Sequence, residues 1–156
     1  MQLMRSALTR GFLFSALSLC AASSISLSAL PVADEPCQGS TVDLQGPKTA
    51  KAARAFLAEF QAAVRANDKQ KIAHMVSYPV NIIRSGKRTR IHDRQTFLAR
   101  YDSLFSERLR KVILDQSAHC LFGNANGEMI GNGEVWFSEM GDGSVKIITI
   151  NPTAGL

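Results

Sequence analysis

After residue 47 the hydrophobic pattern divides into stretches of helical and of extended period. From Lys48 to Ala66, apolar residues fall at Ala53, Phe56, Leu57, Phe60, Ala63 and Val64, with Lys51, Arg54, Glu59 and Arg65 on the other side. Recurrence at i, i+3, i+4 and i+7 marks one buried helical face, and the alanines between favour the helix intrinsically. The spacing predicts a long amphipathic helix whose phenylalanine stripe belongs to the core. Asn67 and Asp68 end it, and Asp68 offers an N-cap for a short helix from Lys69 to Met75 or Val76. Pro79 then blocks helix and pushes Tyr78 toward extended backbone.

Val80, Ile82 and Ile83 read as a strand, Ser85-Gly86-Lys87 as a turn, and Arg88 to Ile91 as a short return strand. The pleat puts Thr89 and Ile91 on one side of it, and Arg88 and Arg90 on the other. Asp93 is an N-cap for a helix from Arg94 to Phe105, with Phe97, Leu98, Tyr101, Leu104 and Phe105 at helical spacing. Ser106 and Glu107 restart a short helix through Ile113. Ala118 to Phe122 reads as a short strand, and Gly123 to Gly127 as a turn. From Gly127 to Asn151 the pattern predicts one long hairpin, closed by Glu139 to Ser144 and returning along Val145 to Ile150. With unbroken alternation, its first strand carries Asn132, Glu134 and Trp136 on one face, and Met129, Gly131, Gly133, Val135 and Phe137 on the other. Helices first and strands mostly last make an α+β domain.

The first 33 residues do not share this pattern. Arg5 and Arg10 precede an apolar stretch from Gly11 to Leu30, no acid occurs before Asp34, and Ser28, Ala29 and Ala33 offer cleavage points. This is the layout of a secretory signal peptide, with residues 34–47 as a surface leader and residues 48–156 as the folded domain. A membrane anchor is the alternative, weakened by the many serines. Leu19 before Cys20 argues against a lipid-modified cysteine. The expected location is periplasmic or secreted, with no transmembrane segment once the signal is removed. Loss of the two arginines lowers the formal charge of +5 by two. That is too small an excess to imply a nucleic-acid partner. Cys37 and Cys120 remain, and in an exported chain two cysteines suggest a disulfide; the alternative is a buried thiol at Cys120 and an exposed one at Cys37.

In this order of elements the chain resembles the nuclear-transport-factor-2-like superfamily, which includes the SnoaL-like polyketide cyclases and the ketosteroid isomerases. The resemblance is carried by the leading helix around Phe56-Leu57-Ala58-Glu59-Phe60, then by Asp68 and the short helix. Tyr78-Pro79 at the start of the strand, the Phe97 to Phe105 helix and the final strands ending near Asn151 continue it. It covers roughly Lys48 to Asn151 and rests on element order and hydrophobic placement. It implies a cone, in which a curved antiparallel sheet wraps around the helices and encloses a pocket, Gly131 and Gly133 permitting the bend. It also implies a possible homodimer through the sheet. Isomerases of this kind set an aspartate base and a tyrosine-plus-acid oxyanion hole in the pocket. No residue here matches those roles: the first helix offers Phe56 and Phe60 and no tyrosine. In the Tyr101-Asp102 pair, neighbours on a helix point roughly 100° apart, so Tyr101 faces the core and Asp102 faces water.

Candidate chemistry is accordingly sparse. Tyr101, Glu134 and Trp136 are the residues expected to line a ligand pocket, Glu134 being the one ionisable group on its face; the alternative is that this face meets solvent. Arg84, Lys87, Arg88, Arg90 and Arg94 form a basic cluster interrupted by Asp93, and Arg100, Arg108, Arg110 and Lys111 extend it along the chain; it suits an acidic protein, anionic lipid headgroups or envelope polymers, or else a solvated surface. His74, His92 and His119 show no metal spacing, and no nucleophile triad, phosphate loop or dinucleotide fingerprint occurs. The reading is an exported domain that binds a small apolar molecule or an envelope protein, without catalytic residues, metal or cofactor. A SnoaL-like enzyme of proton transfer, or an immunity or inhibitor protein using the basic loop, is the alternative.

Overall fold

The computed structural model describes residue 41 and residues 47–155. These belong to one compact unit, Asp34–Leu156. The expected signal segment 1–33, Cys20, Cys37 and most of the leader lie outside the described residues.

The order is α1 (Pro47–Arg65), α2 (Lys69–His74), β1 (Val76–Arg84), β2 (Lys87–Ile91), α3 (Arg94–Leu104), α4 (Glu107–Asp115), a 3₁₀ turn (Ala118–Cys120), then β3 (Phe122–Asn124), β4 (Gly127–Ile130), β5 (Val135–Glu139) and β6 (Val145–Ile150). Three helices start where capping side chains stand. Asp68 accepts from the Lys71 N–H at 2.9 Å, Asp93 from the Thr96 N–H at 2.8 Å, and Ser106 from the Leu109 N–H at 3.3 Å. Each satisfies an N–H that has no partner inside the helix. Ser85 and Gly86 both have positive φ, 47° and 76°, the backbone of a two-residue turn matched to the twist of a hairpin. This joins β1 directly to β2.

The fold is α+β, with a six-stranded sheet in the order β2-β1-β6-β5-β4-β3. The expectation of an antiparallel sheet needs correction, because β1 runs parallel to β6 and the sheet is mixed. The long path through β2, α3, α4 and β3 to β5 supplies the crossover that a parallel pair requires. The ladder between β1 and β6 is interrupted from Val76 to Asn81, and Pro79, which has no N–H to give, falls in that gap. A second irregularity lies in β6, where Trp136 pairs with Thr149 but Phe137 pairs with Ile147. The extra residue, Ile148, is a bulge.

The single hairpin expected from Gly127 to Asn151 is instead two hairpins. The run from residue 128 to 138 breaks at Gly131 and Gly133, whose φ values of 65° and 96° are left-handed. A β side chain pays for such a conformation in sterics, and glycine does not. Residues 131–134 therefore form a tight turn between β4 and β5. Ala118 to Phe122 is likewise not a strand: its first part is the 3₁₀ turn, and pairing begins only at Phe122.

One face of the sheet is covered by the helices. Phe56, Phe60, Phe97, Tyr101, Phe105 and Phe137 fill the space between, none more than 6 % exposed. Phe56 stacks on Phe137 with centroids 4.7 Å apart, and Tyr101 on Phe105 at 4.5 Å. Burial of side chains this size contributes roughly 1.5–3 kcal/mol each, so this aromatic layer is the main hydrophobic link between sheet and helices.

Thr41 bears on the predicted pairing of Cys37 with Cys120. Its hydroxyl donates to the Gly123 carbonyl and accepts from the Gly123 N–H at 2.8 Å. Thr41 follows Cys37 by four residues and Gly123 follows Cys120 by three, and four residues of chain reach roughly 13 Å. Protein folded under oxidising conditions is expected to show neither of these two thiols alkylatable and a mass lower by two hydrogens than the reduced form. Reduction is expected to cost roughly 3–5 kcal/mol in stability through the long closed loop. Two free thiols in that material would exclude the bridge.

Candidate functional site

Tyr101, Glu134 and Trp136 are not brought together. Tyr101 lies in the core on α3, its hydroxyl buried with no hydrogen-bond partner among the described residues. Burial pushes its phenol above the ordinary tyrosine value, against the opposing field of Arg110. The Lys69 ammonium and the Arg110 guanidinium lie 5.3 and 5.5 Å from its ring centre, so the ring is capped by cations at its solvent side. Asp102, one position on, is exposed and pairs with Lys69 at 2.8 Å.

Glu134 sits in the β4–β5 turn and is 1 % exposed. One carboxylate oxygen accepts from the Asn132 N–H at 2.6 Å, and the other takes the Arg108 guanidinium of α4 at 3.2 Å. Arg108 also donates to the carbonyls of Pro152 and Ala154, while the Glu134 carbonyl accepts from the Asn151 N–H at 2.7 Å. The carboxylate thus clasps the turn, α4 and the C-terminal tail, and lines none of the clefts considered below. Trp136 is on the opposite, outer face of the sheet, across from Met129 and Thr149 and edge-on to Phe122 at 6.5 Å. The expected alternation fails for a defined reason. The turn at 131–134 resets the register, so Met129 joins Trp136 outside while Glu128, Ile130, Val135 and Phe137 face the helices.

The pleat also divides the basic cluster. Arg84 pairs with Lys87 and Ile82 with Thr89, whereas Arg88 lies across from Ile83 and Arg90 across from Asn81. Arg84 and Lys87 therefore share the face that looks toward α3, and Arg88 and Arg90 share the other. Arg94 is drawn away to His74, with nitrogens 2.6 Å apart.

Between the β1–β2 hairpin and α3 lies a cleft of about 400 Å3, lined by Ile82, Arg84, Lys87, Thr89, Ile91, Arg100, Ser103 and Leu104. Residues 100, 103 and 104 fall on one helical face. Arg84 donates to the Ser103 carbonyl, which holds the hairpin to the last turn of α3. Lys87 and Arg100 have no carboxylate beside them among the described residues, and all three cations are exposed. Ile82, Ile91 and Leu104 form an apolar floor. No carboxylate, imidazole or thiol lines the cleft, so its side chains can hold an anion but offer no ordinary group to take up a proton.

A second cleft of about 430 Å3 lies between α1, α2 and the start of β6, with Phe56, Met75 and Val145 on its floor and Glu59, Lys71, His74 and Lys146 on its rim. It is larger, but an acid stands among its cations. Lys71 pairs with Glu59 at 3.1 Å, and Lys146 donates to the His74 carbonyl at 2.8 Å. The hairpin–α3 cleft is the better candidate because its positive charge is uncompensated. Next to the second cleft is a crevice too tight for a water molecule, where Glu128 faces Thr49, Ala52 and Ala53. Glu128 is 4 % exposed. Its burial was hidden in the sequence, since alternation through an unbroken strand assigns it to the wrong face. Burial pushes its carboxyl above the usual glutamate range; its own backbone N–H acts the other way, and Glu139 adds to the rise.

Among the described residues no three His, Cys, Asp or Glu side chains converge as metal ligands, and no helix there is long and apolar enough to cross a membrane.

Arg108→Ala leaves the Glu134 carboxylate buried without its cation. It is expected to destabilise the fold by about 3 kcal/mol in chemical denaturation, with Arg108→Ala/Glu134→Gln recovering part of that; a loss below about 0.5 kcal/mol would show the clasp to be dispensable. For Glu128 the sign follows from its raised folded-state value. The folded state keeps the proton longer, so stability is full below the ordinary glutamate value of 4.5 and falls as pH rises through the folded value. Glu128→Gln removes that loss. The melting temperatures of variant and parent should coincide near pH 4 and separate in favour of the variant toward pH 7, and parallel profiles would contradict this.

The chain matches no family model, no curated protein and no solved structure.

Proposed function

We propose that this is an exported, non-catalytic binding domain that recognises an anionic group in the cleft between the β1–β2 hairpin and α3. The observation that carries the reading is the set of three cations, Arg84 and Lys87 on the hairpin wall and Arg100 on the α3 wall, with no acid lining the cleft. Cations on facing walls of a concave site add their fields where an anion would sit, and a guanidinium offers paired donors to a carboxylate or phosphate. The apolar-ligand reading loses its expected place, since the space between sheet and helices is filled by aromatic rings. Recognition shifts to the surface. The nuclear-transport-factor-2-like affiliation is likewise our proposal, supported by the element order and by the helices packed on one face of the sheet.

An immunity or inhibitor role through the basic hairpin uses the same cations on an acidic protein. A proton-transferring enzyme of the SnoaL-like kind would have to work through Glu128, in whose crevice a substrate has no room. The cleft reading is tested by titrating the purified chain with poly-L-glutamate and with inorganic phosphate, following backbone amide shifts. Shifts should centre on Lys87, Thr89 and Arg100. Lys87→Glu/Arg100→Glu should weaken binding roughly thirtyfold, equivalent to about 2 kcal/mol, and binding should fall with added salt. Arg88→Glu/Arg90→Glu, on the other face, should leave it nearly unchanged. Equal loss in both double variants would replace the cleft with a diffuse patch.

A further inference from the structure

The face of the sheet turned away from the helices is organised by register. Phe122 pairs with Met129, Met129 with Trp136, Trp136 with Thr149, Thr149 with Asn81 and Asn81 with Arg90, so one cross-strand row runs through all six strands from β3 to β2. Paired residues point to the same side of a sheet, and the row is therefore apolar at one end and cationic at the other. The β6 bulge adds to it. Ile147 and Ile150 are both buried, which leaves Ile148 and Thr149 side by side on the outer face, where strict alternation would place only one of them. Phe122, Met129, Trp136, Ile148 and Ile83 are half-buried, so this face keeps apolar area open to solvent. Between Ile83, Ile148, Trp136 and Thr149 lies a groove of about 220 Å3, lined also by Arg88 and Asn126.

Aromatic residues, Met and Arg are enriched in protein interfaces, and Lys, Glu and Asp are depleted; the row has that composition. Its charge is one-sided. Arg88 and Arg90 are exposed and have no carboxylate beside them among the described residues. The acids of the strands and of the β4–β5 turn are elsewhere: Glu128 and Glu139 line the crevice against α1, and Glu134 is held by Arg108. A second copy of this chain would bring Arg88 and Arg90 no acid from the same face. The groove is smaller than the roughly 300–1,000 Å3 of small-molecule sites. Phe122 meets Trp136 edge-on, at 84°, and so offers no run of parallel ring faces for stacked bases. We propose that the outer face of the sheet docks an acidic protein segment, whose apolar side chain enters the groove beside Trp136 and whose carboxylates pair with Arg88 and Arg90. A guanidinium holds a carboxylate through paired donors, and a Trp or Arg at the centre of such a contact carries a large share of its affinity. This surface is separate from the hairpin–α3 cleft, to which Arg88 and Arg90 do not contribute.

Trp136 is the only tryptophan of the chain, so its emission reports on this face alone. The probe is an end-blocked Glu-Glu-Phe-Glu-Glu peptide titrated into the purified chain, with Glu-Glu-Ala-Glu-Glu and Lys-Lys-Phe-Lys-Lys as controls. The first peptide should move the Trp136 emission to shorter wavelength and saturate. The alanine peptide should bind roughly fivefold more weakly for want of an anchor, and the lysine peptide should not bind. Arg88→Glu/Arg90→Glu, at two exposed positions, should weaken the first peptide roughly tenfold or more, whereas Lys87→Glu/Arg100→Glu, in the cleft, should change it by less than about twofold. Ile148→Ser should reduce the preference for phenylalanine over alanine; if that variant fails to fold, the peptide set in the parent chain decides alone. Equal binding of the alanine or of the lysine peptide overturns the proposal, as does equal loss in the two double variants. A blue shift that grows with protein concentration alone, with a dimer in sedimentation, overturns it in favour of a second copy. Oligothymidylate binding more tightly than the acidic peptide overturns it in favour of nucleic acid. No response of Trp136 to any peptide overturns it and leaves the cleft reading standing.

Discussion

The buried contact of Glu134 with Arg108 is the constraint on which the second half of the fold depends. A carboxylate that is 1 % exposed is tolerated only with a cation and a full set of donors around it. Those donors are the Asn132 N–H in the turn and the guanidinium from α4. The same guanidinium gathers the tail carbonyls of Pro152 and Ala154. Gly131 makes the arrangement possible: a side chain there would meet the Glu134 carboxylate and would lie 2.5 Å from a Val112 methyl. Its N–H donates to the Gln116 side chain at 2.7 Å, and Gln61 on α1 donates in turn to the carbonyls of Ile113 and Gln116 at 2.9 Å each. A continuous polar seam therefore runs from α1 past the end of α4 to the turn and the C-terminus. It sets where β4 ends and β5 begins, and so which side chains of β5 meet the aromatic layer.

That dependence explains how far the architecture was readable. The face of α1 was legible because seven-residue spacing over a long helix leaves one consistent stripe, and Phe56, Leu57 and Phe60 are buried as that stripe requires. The caps at Asp68, Asp93 and Ser106 were legible because capping is local chemistry. The break at residues 131–134 was not. Two glycines within a strand-like run fit a bend, a bulge or a turn equally well, and the choice rests on Glu134 finding Arg108, a partner 26 positions away. Once the register resets, Glu128 passes to the helix side and Met129 to the outer side. An error of one turn thus reverses the facing of every residue before it.

The candidate site shows the same division. Alternation in β2 already separated Arg88 and Arg90 from Thr89 and Ile91, so half of the sorting was local. Which of those faces meets a helix depends on the sheet order and on where α3 lies, and neither is written in a five-residue strand. Arg100 was readable as an extension of the basic run along the chain, but its place opposite Lys87, 13 residues earlier, comes from the packing of α3. Cations counted along the chain form one cluster; cations placed on the fold form a cleft and a separate outer patch.

A filled core and a charged cleft at its edge are linked outcomes. Among the described residues, aromatic rings fill the space between sheet and helices, so the open space for a ligand described above lies at the rim of the core. Between the β1–β2 hairpin and α3, the buried side chains of Ile82, Ile91 and Leu104 close the base of such a space beneath three cations. The placement of the cations on two facing walls, more than the number of arginines, sets this cleft apart from the outer patch of Arg88 and Arg90.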